Sequence, residues 1–123
     1  MLIIRKEQIE FFKQYRLSLF ENRMVKHLYT YFPKKCDALG EAMVRNFIRQ
    51  GIDRTRIYGI RAEKDVSRFI NLMLTFGKDF DTDSQLPWAQ EILVEKKFDQ
   101  RISVMDALYQ KAANPLFNNR KLS

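Results

Sequence analysis

The chain has 123 residues, 46% hydrophobic and 30% charged, with 22 basic against 15 acidic side chains and a net charge of +7. This length suits one domain with one core, and the apolar content is enough to offset chain entropy, which excludes a disordered polar segment. Four Gly and three Pro are too few for the turns of a sandwich or barrel, so the composition predicts an all-α fold, a compact single-domain bundle of about five helices over residues 1–113 with a flexible tail at 114–123.

A single cysteine, Cys36, excludes an internal disulfide and a multi-thiolate zinc site and points to a reducing compartment. The opening Met1-Leu2-Ile3-Ile4 precedes Arg5-Lys6, the reverse of a secretory signal, and no apolar run approaches membrane-spanning length. These features predict a cytoplasmic protein without membrane association. Basic residues dominate residues 1–59, acidic ones 60–95, and basic ones again 96–123. Such two-signed patterning suits association with protein more than the dense single-sign stripe of a nucleic-acid binder.

Along the chain, Ile9, Phe12, Leu17, Phe20, Met24, Leu28 and Tyr31 recur at helical spacing, predicting one long amphipathic helix that Pro33 ends, with residues 32–35 as a turn. A second helix is predicted from an N-cap at Asp37, with Gly40 and Glu41 in its first turn and Leu39, Met43, Phe47 and Ile48 as its stripe. Gly51 is expected to stop or loosen it. Residues 52–60 read as its continuation or a short separate helix, with Gly59 as a C-terminal stop. Residues 63–76 carry Val66, Phe69, Ile70, Met73 and Leu74 and predict a buried helix closed by Gly77. The turn formers of 78–85 read as a loop, Pro87 opens a short helix through Trp88, Ile92 and Leu93, and a last helix is expected over 101–113.

Catalytic equipment is sparse. Asp79, Asp81 and Asp83 alternate like the first ligands of a calcium loop, but Ser84 replaces the required Gly and Gln90 the bidentate Glu, so no metal is expected and Asp83 or Ser84 is read as a capping acceptor. Cys36 and His27 lack an announced orienting group and oxyanion site, and no phosphate-binding Gly loop is present, so neither a catalytic residue nor a cofactor is assigned. Arg45, Arg49, Arg54, Arg56 and Arg61, interleaved with Phe47 and Tyr58, allow phosphate contact and base stacking, yet their spacing is that of a solvated helix face, which disfavours nucleic acid. Phe11, Phe12, Tyr15 and Phe20 read mostly as core, but so many aromatics on one helix cannot all face inward, and some are expected to form a docking patch.

Tyr58-Gly59-Ile60, Glu63, Asp65-Val66, Phe69-Ile70, Leu72-Met73, Gly77, Asp79-Phe80-Asp81, Leu86-Pro87-Trp88-Ala89 and Glu91-Ile92-Leu93 together resemble small uncharacterised proteins encoded beside the spike components and toxic effectors of bacterial type VI secretion systems. Ile4-Arg5-Lys6-Glu7-Gln8, Arg23-Met24-Val25, His27-Leu28 and Phe32-Pro33 fit the same pattern, which extends to about Tyr109. Arg61-Ala62 departs from it, where a Ser or Thr would cap the following helix. The resemblance implies no active site. It implies a protein that loads, stabilises or accompanies a secreted effector or spike component. The residues themselves place the expected binding surface on the aromatic first helix, at Phe11 and Tyr15, and on the loop over residues 77–88, at Phe80, Asp81, Asp83 and Trp88. Two other functions meet the same composition: an immunity protein that occludes a toxin, and a basic nucleic-acid-binding regulator.

Overall fold

A computed structural model describes residues 5–114. Among them are six α-helices and no strand, as the all-α expectation holds: α1 (Lys6–Tyr31), α2 (Pro33–Leu39), α3 (Glu41–Ile57), α4 (Glu63–Phe76), α5 (Pro87–Leu93) and α6 (Val104–Ala113). The expected tail begins at Asn114, and all of it after that residue lies outside the described residues. The chain divides into two compact units, Met1–Gln50 and Gly51–Ser123, with the division falling inside α3.

In the first unit α1 packs on α2, and α1 and α3 are joined by charge. Arg45 and Arg49 both donate to the Glu21 carboxylate, at 2.6 and 2.8 Å. The hydrogen bond from Arg49 holds that carboxyl below its ordinary range, and Arg45 adds to it. Phe20, Met24, Val25 and Leu28 of α1, Cys36 of α2, and Val44 and Ile48 of α3 are buried.

Pro33 ends α1 as expected, but residues 32–35 are not a turn. Only Phe32 leaves helical geometry (φ −131°, ψ 54°), and Pro33 immediately starts α2 at a first-turn position, where its missing N–H costs nothing. Asp37 is therefore inside α2 and caps nothing. The break that does occur is at Gly40, whose φ of 83° suits glycine and separates α2 from α3.

In the second unit α6 packs on both α4 and α5. Gly51 neither stops nor loosens α3. It is buried within the helix, and a Cβ there would stand 2.5 Å from Ile70 Cγ1 and 3.2 Å from Met73 Sδ, so its lack of a side chain lets α3 approach α4. Gly51→Ala is expected to lower the melting temperature: overpacking against the fully buried Ile70 costs about 1–3 kcal/mol, more than the roughly 1 kcal/mol gained in helix propensity. A raised melting temperature would contradict that close approach.

The helix continues to Ile57 and closes on Gly59. Ile60 N–H donates to Thr55 O at 2.8 Å and Gly59 N–H to Arg56 O at 3.1 Å, the paired bonds of a Schellman stop, with Ile60 buried as its apolar contact. Helix α4 spans the predicted residues 63–76. Its N-cap is Ala62, which makes no side-chain cap, so Ala62→Ser is expected to raise stability by about 0.5–1 kcal/mol in denaturant titration. The last helix starts later than expected, because Ser103 is the N-cap and accepts from Asp106 N–H at 3.0 Å, while Arg101 pairs with Asp99 outside the helix.

Candidate functional site

The six side chains singled out for partner binding separate into two environments. Phe11 and Tyr15 are 66% and 55% exposed on α1, whereas Phe80, Asp81 and Trp88 are 1%, 2% and 2% exposed in the second unit. Asp83 is half-buried, and its Oδ1 accepts from Gln85 N–H at 2.9 Å within the loop, whereas α5 has Leu86 as its N-cap and no side-chain cap.

Phe80 and Trp88 are core residues and are corrected as docking groups. Their rings continue an aromatic series, with Phe69 to Phe80 at 5.0 Å, Phe80 to Trp88 at 6.4 Å and Phe76 to Trp88 at 5.6 Å between centroids. The turn-forming composition of 78–85 signalled a loop but not that the loop folds inward over α4.

Asp81 explains that inward turn. Its Oδ1 accepts from Arg54 Nη1 at 2.6 Å and its Oδ2 from the Tyr58 hydroxyl at 2.6 Å, while its carbonyl accepts from Gln90 Nε2 at 3.0 Å. Arg54 also donates to Asp79 Oδ1 and to the Lys78 carbonyl. A buried carboxylate is tolerated only with such partners. Burial first, and then the bond to Asp81, hold the Tyr58 hydroxyl well above its ordinary pKa. Asp79 and Asp81 are thus bound to a guanidinium, and no cluster of three potential metal ligands occurs among the described residues. Sequence reasoning missed Arg54 and Tyr58 as the loop's anchors, although Tyr58, directly after α3, follows Arg54 at the i, i+4 spacing that sets two side chains on one side of the helix end.

Cys36 is buried, and burial pushes its thiol up, away from the thiolate a nucleophile requires. His27 lies against the Tyr31 ring at 4.7 Å. In the arginine series, Arg45 and Arg49 hold Glu21, Arg54 holds the acidic loop and Arg56 meets Asp53 at 3.9 Å, so these four have acidic neighbours within the fold. No helix among the described residues is long and apolar enough to cross a membrane.

The remaining surface is on α1, whose apolar stripe does not run continuously along the core. Residues 5–16 are all exposed, and Ile9, Phe11, Phe12, Tyr15 and Leu19 stand in solvent. Phe11 and Phe20, Tyr15 and Met24, and Leu19 and Leu28 are each nine positions apart, about two and a half turns at 3.6 residues per turn, hence on opposite faces. The buried face of the C-terminal half is continued toward the N-terminus by Lys13, Glu10 and Lys6, with Lys13 and Glu10 paired at 3.7 Å. Helix α1 thus carries two apolar faces, one used in its unit and one open.

Comparison with known proteins gives no match to a family model, a curated protein or a solved structure.

Proposed function

We propose that this chain is a non-enzymatic, cytoplasmic protein-binding accessory, an adaptor or chaperone-like holder for a secreted effector or spike component of a type VI secretion system. The observation that carries the binding role is the open apolar face of α1, with Phe11, Phe12, Tyr15 and Leu19 exposed together. Clustered exposed aromatics are the anchors around which protein interfaces form. The secretion context rests on the resemblance carried by residues 4–33 and 58–93, which extends to about Tyr109. Absence of catalysis is supported by the buried, poorly acidic Cys36 thiol and by the structural use of Asp79 and Asp81.

Co-expression of the tagged chain with the effector or spike component encoded beside it tests the proposal. A discrete complex is expected on size exclusion, and the double substitution Phe11→Ala, Tyr15→Ala should weaken it at least about tenfold, since each buried aromatic anchor is worth 1 kcal/mol or more. Unchanged affinity in a folded variant would refute the α1 docking face. Protection of cells from a co-expressed toxin would instead favour the immunity role.

A further inference from the structure

The open face of α1 has unlike edges. At 3.6 residues per turn, Arg5 and Arg16 flank the Phe11, Tyr15, Leu19 stripe on one side, and Glu7 and Gln14 flank it on the other. Its first three turns also stand outside the packing of their unit, every residue from 5 to 16 being exposed. A helical segment of about 12 residues without tertiary support is marginal in water, so one bearing this much apolar surface gains from a covering partner.

We infer that a second copy of this chain covers the face in the free protein, its α1 running parallel to the first. A parallel two-fold seam sets the basic edge of each helix against the Glu7 edge of the other: Arg5, the N-cap residue, meets Glu7 of the second copy, and Arg16 meets its uncharged Gln14 and no like charge. Tyr15 meets Tyr15 and Gln8 meets Gln8 on the axis, with Phe11, Phe12 and Leu19 packed around them. An antiparallel seam centred on Tyr15 brings Arg16 beside the second Arg16 and is disfavoured. This inference rests on the docking-face reading and adds that the face is self-associated until the secreted partner displaces the second copy.

The contact spans roughly 20 Å of helix and belongs to the small, reversible class of interface, so monomer and dimer are expected to exchange over the micromolar range of concentration. Sedimentation velocity on the full chain across that range is expected to show monomer passing to dimer. Tyr15→Glu, which opposes two charges on the axis, should leave only monomer. Glu7→Arg should weaken the dimer, and the swapped pair Arg5→Glu, Glu7→Arg should restore it. Under mild oxidation Gln8→Cys should cross-link to itself faster than Lys13→Cys on the opposite side, with the unsubstituted chain and its buried Cys36 as control. Circular dichroism keeps a misfolded variant from being read as a monomer. A monomer at every concentration, a swap that fails to restore, or equal cross-linking at positions 8 and 13 would each overturn the parallel seam. A chain that stays monomeric yet loses its secreted partner on Tyr15→Glu overturns self-association alone, whereas a dimer whose secreted partner still binds after Tyr15→Glu overturns the docking assignment alone.

Discussion

Trp88→Ala is expected to destabilise the second unit by about 3–5 kcal/mol, the range for deleting a large buried aromatic whose site only partly collapses. Trp88 touches the rings of Phe76 and Phe80 and opens α5 directly after Pro87, so its loss leaves a cavity where α5 begins. Its indole N–H is buried and has no hydrogen-bond acceptor among the described residues. Trp88→Phe should therefore cost much less than Trp88→Ala, because it keeps most of the ring volume and removes a polar group that gains nothing from burial. Urea titration of both variants checks the order, and equal losses would mean that ring volume is not what Trp88 contributes.

A second large effect is expected at Asp81. Asp81→Ala removes the acceptor of Arg54 and of the Tyr58 hydroxyl together. Breaking a buried ion pair from one side costs about 3–5 kcal/mol because the other charge is left without compensation. Here Arg54 keeps Asp79 and the Lys78 carbonyl and is partly exposed, which places the expected loss near the lower end. Asp81→Asn preserves the shape and one acceptor and should fall between Ala and the parent chain. The loop should also become protease-sensitive at 78–86, whereas substitution of the exposed Tyr15, which lies in the first unit, should leave cleavage of that loop unchanged. New cleavage at 78–86 on Tyr15→Ala would be inconsistent with its placement on an open face of α1.

The helices that were legible in the sequence are those whose punctuation is local. Residues 63–76 were bounded by an acidic first turn and Gly77, and Pro87 marked the start of α5, because capping and proline geometry act within a few residues. What was not legible depends on distant partners. Gly51 read as a breaker because intrinsic propensity is all that one residue announces, and Ile70, 19 positions away, is what makes glycine fit there. Asp81 read as a surface acid because nothing in the spacing of three aspartates names Arg54 as their partner. For α1, helical periodicity marked apolar positions without saying which of two faces the unit would cover. Ile9, Phe12 and Tyr31 fall in the predicted apolar stripe yet are exposed. Only when Phe20, Met24 and Leu28 are known to be buried does the face holding Phe11 and Tyr15 become the open one.

The single non-helical residue at Phe32 sets a rule for how this segment can change over evolutionary time. With no loop between α1 and α2, one inserted or deleted residue rotates everything after it by about 100° of helix. Cys36 would then leave the buried side of its unit. Substitutions along α1 are absorbed by its long exposed half, but length is not. Chains of this kind should therefore keep the spacing from Leu28 to Cys36 fixed and vary in residue type on α1 only outside its buried face, Glu21 and the open aromatic face, with insertions gathering instead at exposed turns such as the one around Ser84.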